Sequence, residues 1–472
     1  MSIKFFFRKR FFFLIGVVFA TMSLSGCIFK QTAPEQYKVN LEVWGVFDDS
    51  DAYADVFNQY RKINPYIGEI NYRKLPLETY KDDILNALAA GKGPDIFMIR
   101  NAWRGSFEDK IAPAPEYLLT EKQYRDVFVD VVAEDFIGNG KIYGAPLSAD
   151  SLALYYNKDL FNAAGIVNPP TTWDELLGDI SKLNRVDQFG NVVQSAVALG
   201  TAYNINRSMD LLTVLMFQMG SSILPPGQKR VELTDENSRK ALEFYTQFSR
   251  INSNTYTWNP SLHYSIDSFY EGTLGMMIDY SWHFATVKQK NSKLNFAVAP
   301  LPQFSDGKPV NFANYWGFAV AKNKVAEDKP GQAAPQGAVK PDLEKQNYLR
   351  IHEAWQFLNY LTLPHPDNKI TLQNGIAGTT KEFTLSFDPA KKYLEKTDKP
   401  AARRDLIEEQ KNDVRLAPFA TGNLIAKNWY QGNMELVEAI FAEMIDSVNK
   451  GEKSVYDALT ITTNRVNVLT KQ

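Results

Sequence analysis

Four histidines and one cysteine are all that this 472-residue chain offers to the commonest metal and nucleophile chemistries. His263, His283, His352 and His365 form no HExxH pair. His352-Glu353 lacks a second histidine four residues on, the spacing that would put two imidazoles on one helix face. No metal ligand is therefore assigned, and structural histidines are expected. GxSxG, the sharp turn that lifts a serine nucleophile off the end of a strand, is absent. Gly138, Gly140 and Gly144 miss the dinucleotide spacing by one residue and NGIAGTTK (374–381) misses that of a P-loop, so no cofactor is expected. Asp48, Asp49 and Asp51 could supply the carboxylate pair of a glycosidase, or could cap a helix and face water. No catalytic residue is assigned.

Rings are the more prominent resource: aromatic residues make up 13% of the chain. Trp44, Trp103, Trp282, Trp316 and Trp429 fall in predicted loops or at predicted strand ends. An indole face covers the C–H side of a pyranose and leaves its hydroxyls to Asp, Asn and Arg, which is what a small-molecule site of apolar walls and few polar groups needs. Core packing competes with that role for any single tryptophan.

These rings must be carried by regular elements. VNLEVWGVF (39–47) alternates as a strand and runs into Asp48-Asp49-Ser50-Asp51, good helix-capping chemistry. Tyr53, Val56, Phe57 and Tyr60 then recur at helical spacing. A strand is predicted at EINYRKL (69–75), a helix from Pro76 that stops at Gly91, and a buried strand at GPDIFMI (93–99). Strand and helix alternating at this spacing predict an α/β fold with a mostly parallel sheet, whose ligands sit beyond the carboxyl ends of the strands. Further on, Thr171-Thr172 predict a helix cap before Trp173, LLTVLMFQMG (211–220) and NSRKALEFYTQFSRI (237–251) read as helices, and LNFAVAPLP (294–302) and YWGFAVAKN (315–323) as strands. The tract 324–346, rich in Pro, Gly, Ala and charge, reads as a surface insertion. RIHEAWQFLNYL (350–361) and MELVEAIFAEMIDSVNKG (434–451) close the chain as helices.

The N-terminus has the order of an export signal: Lys4, Arg8, Lys9 and Arg10, an apolar run from Phe11 to Ala20, then Ser25 and Gly26. Leu24-Ser25-Gly26-Cys27 resembles the lipobox of bacterial lipoproteins, in which the cysteine is lipidated and becomes the mature N-terminus. Cys27 is thus the expected anchor, with an uncleaved signal anchor as the alternative. The expected division is a signal peptide (1–26), a lipidated tether (27–37) and a folded part; without the signal the chain carries 48 basic against 54 acidic residues, about −6. No basic stripe is present, which argues against nucleic acid as a partner.

Several motifs in one order then point to a family. Trp44 before an Asp-rich turn, AAGKGPDIF (89–97), YGAPLSADSLALYYNKDLFNAAGIVNPPTTWDEL (143–176), FYEGTLGMMIDYSW (269–282), LNFAVAPLP and GEKSVYDAL (451–459) together resemble the extracellular solute-binding proteins of ABC importers, in the cluster that includes maltose- and other sugar-binding proteins, over residues 38–472. The resemblance implies two α/β lobes of the type II periplasmic-binding-protein-like fold. Three crossings would join them, near 148–151, 293–296 and 374–377, giving lobe 1 as 38–148 and 296–373 and lobe 2 as 149–295 and 374–472. It implies ligand contacts from Trp44, Asp48, Asp49, Asn101, Trp103, Asp150, Tyr280, Trp282, Trp316 and Trp429. Two departures stand out: the tract 324–346 is longer than the family's loop, and Tyr280-Ser281 replaces a frequent Gly-Pro. The implied function is a non-enzymatic, monomeric receptor, lipid-anchored at the extracytoplasmic face of the cell membrane, which passes a small-molecule ligand, an oligosaccharide, to an ABC permease. A secreted carbohydrate-active enzyme and a sensor or adhesion lipoprotein are the alternatives.

Overall fold

The computed structural model describes residues 38–225, 230–324 and 342–469. Cys27, the export segment, the tether and most of the 324–346 insertion lie outside them. Val39, Leu41 and Val43 bury one side of β1 (Val39–Gly45) and leave Asn40, Glu42 and Trp44 half-exposed. The helix α1 (Asp51–Ile63) buries Tyr53, Val56, Phe57 and Tyr60, and β2 (Ile67–Lys74) then runs parallel to β1. After α2 (Leu77–Ala89) the chain turns at Gly91, whose φ of 69° favours glycine, and enters β3 (Ile96–Arg100), also parallel to β1. Short β4 (Ile111–Ala112) and the helices α3 (Glu121–Val127) and α4 (Asp130–Phe136) complete this stretch.

β5 (Ala153–Asn157) begins a second sheet. A capping box between Thr172 and Glu175 starts α5 (Trp173–Leu183), which leads to β6 (Arg185–Val186) and β7 (Val192–Val197). Helix α6 (Ser208–Gln218) is buried along nearly its whole length, polar Asp210, Thr213 and Gln218 included, and α7 (Glu236–Thr246) packs on it. Then come β8 (Leu274–Asp279), α8 (Trp282–Lys290) and β9 (Phe296–Pro300). β10 (Asn311–Phe312), β11 (Trp316–Ala321), α9 (Leu343–Thr362), the hairpin β12 (Lys369–Gln373) and β13 (Thr380–Thr384), and α10 (Pro389–Thr397) follow. The chain ends with α11 (Ala417–Asn423), β14 (Ala426–Lys427), α12 (Met434–Asn449) and α13 (Val455–Leu469).

Two five-stranded mixed sheets result, in the orders β2-β1-β3-β11-β4 and β9-β5-β8-β7-β6. The α/β expectation holds, and so does the two-lobed arrangement; the crossings move. β9 lies antiparallel along β5, pairing Phe296 with Asn157 and Pro300 with Ala153, so the return expected at 293–296 comes after Pro300. Residues 374–377 form the turn of the β12–β13 hairpin, where the Asn374 side chain accepts hydrogen bonds from the Ile376 and Ala377 amides. Helix α10 still packs on α1 and α9 of the first lobe, whereas α11 packs on β9 and β5 of the second. The last crossing therefore lies between Thr397 and Ala417. The three connections run side by side: Ser148 bridges to Ala401 and Ser151 to Ala313. No helix among the described residues is long and apolar enough to cross a membrane.

Candidate functional site

At the carboxyl end of the first sheet, β3 delivers Arg100 and then the turn that carries Asn101 and Trp103. β11 runs antiparallel to β3, so Trp316 at its start is the register partner of Arg100. The Trp316 ring is met edge-on by Trp103 at 4.9 Å and by Phe47 at 5.4 Å, with Tyr80 at 5.8 Å. Trp103 is buried and stacks on Phe107 at 5.8 Å. Phe47 remains 44% exposed.

The matching end of the second sheet is different. β8 stops at Asp279, and Tyr280 and Trp282 stack with centroids 4.5 Å apart. Tyr280 is buried and donates its hydroxyl to Asp210 Oδ2 at 2.7 Å; Trp282 is 45% exposed. Asp150, at the first crossing, accepts from the Ser151 amide (2.9 Å), the Ser281 amide (3.0 Å) and the Ser281 hydroxyl (2.6 Å), which fastens the turn carrying Trp282. Burial pushes its carboxyl up to about 8 against the pull of those donors, and the neighbouring Asp279 adds to the rise.

Charged residues lie between the two ends. Arg207, in the left-handed conformation (φ 56°) just before α6, pairs with both oxygens of Asp210 at 2.8 and 2.9 Å. Its Nη1 reaches Glu438 on α12 at 2.7 Å. Arg100 comes from the other sheet. Burial pulls its guanidinium below the ordinary value, the Arg207 charge adds to this, and Glu438, Asp210 and Tyr280 oppose it. Asn314, which Arg100 bonds, donates its backbone amide to the Asp150 carbonyl at 3.0 Å, which links this strand end to the crossing that holds Ser281. Among the described residues the Arg100 side chain bonds only the Asn314 amide oxygen, from Nε at 3.3 Å and Nη2 at 3.2 Å.

The expected residues thus separate. Trp103, Trp316 and Asn101 gather at one strand end; Asp150, Tyr280 and Trp282 gather at the other. Trp44 stands apart on the half-exposed side of β1, with the Arg73 guanidinium 5.2 Å from its ring. Asp48 is spent on Tyr53 (3.1 Å), Tyr393 (2.7 Å) and the Lys399 ammonium (2.6 Å). Burial pulls that ammonium down while Asp48 supports it. Asp49 makes an exposed pair with Lys74 at 3.1 Å. Trp429 is buried against Phe441 at 6.2 Å and belongs to the core. Arg100, Arg207, Asp210 and Glu438 were not expected. Arg100 directly follows GPDIFMI, which was signal enough; the Arg207–Glu438 pair joins residues too far apart in the chain to be read from spacing. Among the described residues no group of His, Cys, Asp and Glu could hold a metal ion.

The model of one family, described as bacterial extracellular solute-binding protein, matches residues 48–365. The chain belongs to this family. As a solute-binding protein it is similar to the sn-glycerol-3-phosphate-binding periplasmic protein of Yersinia pseudotuberculosis (serotype I, strain IP32953), with 23% identity over 457 residues and 89% of each chain covered. Among solved structures, the cyclic alpha-maltosyl-1,6-maltose binding protein from Arthrobacter globiformis superposes with a TM-score of 0.68 at 20% identity, covering 92% of this chain and 99% of that one. The sugar-binding protein MalE from Xanthomonas citri gives 0.69 at 17% identity, covering 92% and 98%. These two solute-binding proteins share the fold described above, and the family places the protein on the extracytoplasmic side.

Proposed function

We propose that this protein is the substrate-binding receptor of an ABC importer, one that captures a sugar or oligosaccharide between the two strand ends and delivers it to a permease. The carrying observation is that ring faces and enclosed hydrogen-bonding charges occur together at each strand end: Trp316, Trp103 and Arg100 at the first, and Tyr280 and Trp282 with Arg207 and Glu438, joined through Asp210, at the second. Rings would cover the C–H faces of a pyranose, and the charged groups would take its hydroxyls. Contacts from both lobes exist together only when the lobes are closed, so binding shifts the population to the closed form that a permease can recognise. Similarity to a protein named for cyclic alpha-maltosyl-1,6-maltose and to one named as sugar-binding supports this ligand class. The lobes are taken as 39–147 with 316–397 and 152–300 with 417–469. Lipidation of Cys27 would hold this monomeric receptor at the membrane, and Cys27→Ser would release it into the soluble fraction.

A second reading has its own observation. The Arg100 guanidinium has only a neutral amide oxygen as hydrogen-bond partner among the described residues, and one relative is named for glycerol 3-phosphate; a ligand bearing an anionic group would give it a direct ionic partner. A thermal-shift screen of the chain from residue 28 against oligosaccharides, monosaccharides, phosphorylated polyols, amino acids and polyamines separates the two. A ligand at about 100 times its Kd should stabilise the fold by about 2.7 kcal/mol. Shifts confined to phosphorylated polyols would replace the sugar reading, and shifts confined to amino acids or polyamines would sink both.

A further inference from the structure

One carboxylate outside the ring clusters touches all three segments that carry Trp103, Trp316 and Trp429. Asp135, next to last in α4, accepts from Asn101 Nδ2 at 3.0 Å and from the Tyr315 hydroxyl at 2.8 Å on one oxygen, and from Asn428 Nδ2 at 3.3 Å on the other. Its own carbonyl accepts from Arg104 Nε at 2.7 Å. Asn101 lies two residues before Trp103, Tyr315 immediately before Trp316, and Asn428 immediately before Trp429. The first two segments belong to the first sheet, whereas Trp429 is part of the core that also holds the second sheet.

The Asn428 arm lies in a longer seam between the lobes. A Cβ on Gly105 would come within 2.6 Å of the Tyr430 ring, Ser106 Oγ lies 3.5 Å from the Gly432 carbonyl, and Lys81 Nζ lies 3.8 Å from Glu435. Beyond this seam α12 carries Glu438 to Arg207, so the contacts run from Asp135 to the second-lobe side of the site.

We infer that Asp135 is a positioning residue for ligand binding: it fixes the 101–104 and 315–316 segments in the first lobe and, through Asn428, ties their placement to closure against the second. The inference rests on the proposal that the ligand lies between these strand ends. A carboxylate suits the task because it is acceptor-only, and three donors converge on it. An amide or a protonated acid would turn a donor of its own toward at least one of them. Burial pushes the Asp135 carboxyl up to about 6, with Tyr315, Asn101 and Asn428 pulling it down and Glu134 pushing the same way as burial. The other titratable groups facing it are the Tyr315 and Tyr124 phenols, both held protonated by burial, Arg104, and Lys427 beside Glu134.

Hydrogen exchange of the ligand-free chain tests this without any assumption about the ligand. At about pH 7.5, Asp135→Asn should speed exchange about tenfold at the amides of 101–107 and of 428–432, leaving β1 and β2 unchanged. Asn428→Ala, which removes only the cross-lobe arm, should loosen 428–432 and spare 101–104. Wild-type exchange in both variants, or loosening spread evenly through the first sheet, would overturn the inference. Maltotriose is the ligand probe: binding about tenfold weaker in Asp135→Asn is expected, and wild-type binding by that variant would also overturn it. A wild-type chain that ignores maltotriose while its exchange behaves as described strikes only the maltose-type reading of the ligand.

Discussion

The ring groups at the two strand ends solve the same problem in opposite ways. In the first lobe Trp103, Trp316, Phe47, Tyr80 and Phe107 hold one another largely edge to face, so most of each ring is used up by its neighbours. In the second, Tyr280 is buried and anchored to Asp210, and Trp282 lies flat on it with 45% of its surface exposed. One is a wall that belongs to the core; the other is a single indole face presented on a fixed backing. The difference teaches that an aromatic cluster at a strand end need not divide its rings equally between stability and recognition.

The largest expected break falls on the wall. Trp103→Ala removes a buried indole from between Phe107 and Trp316 and should cost about 3 to 5 kcal/mol of folding stability, the usual range for deleting a buried large aromatic. Chemical denaturation measures it, and a loss below about 1 kcal/mol would mean the first-lobe rings are not interlocked. The backing of the second lobe fails differently, through charge. Asp150 is held above the ordinary carboxyl range, so its contribution to stability is complete below the unfolded carboxyl value and is lost as pH rises through about 8. Wild type should therefore lose stability relative to Asp150→Asn as pH rises from about 4 to about 8, by up to about 1.4 kcal/mol per pH unit. Melting curves of both proteins across that window test it, and parallel curves would show that burial does not control this carboxyl.

Trp282→Ala comes next and should separate recognition from folding. It should weaken ligand binding by about 1 to 3 kcal/mol while folding stability changes by about 1 kcal/mol or less, because the removed ring is exposed on one side. Calorimetry with whichever compound shifts the melting temperature supplies the affinity. Unchanged binding would assign Trp282 to packing on Tyr280 alone.

Much of this arrangement was legible in the sequence, and the illegible part has a common cause. Alternation at 39–45, the Thr172 cap and the helical spacing of Tyr53, Val56, Phe57 and Tyr60 are local signals, and the elements they predict are present. Phe296–Pro300 is an apolar strand wherever it goes; only hydrogen bonding to Ala153–Asn157, more than 100 residues earlier, assigns it to the second sheet. Asp48 reads as a ligand-facing acid until Tyr393 and Lys399 arrive from the far end of the chain. Trp429, expected as a stacking ring, lies buried beside Phe441 of α12. Arg207 and Asp210 sit at a helical i,i+3 spacing, but their meaning depends on Glu438. Local periodicity names elements; which groups remain free to meet a ligand is settled by long-range partners.

The smallest effect sharpens the comparison most, because Phe47 is the ring that belongs to both descriptions. It touches the first-lobe wall through Trp316 at 5.4 Å, yet it is as exposed as Trp282. Phe47→Ala should cost about 0.5 to 1 kcal/mol of stability, the value of one edge contact, and a similar amount of binding. If binding instead falls as far as it does in Trp282→Ala, the first lobe also presents a ring to the ligand, and the wall extends into the site at Phe47. If binding is untouched, stacking comes from the second lobe alone, and the first lobe contributes through Arg100 and the edges of buried rings. Either result, set beside the Trp282 value from the same titrations, decides whether the ligand is held between two ring faces or laid against one.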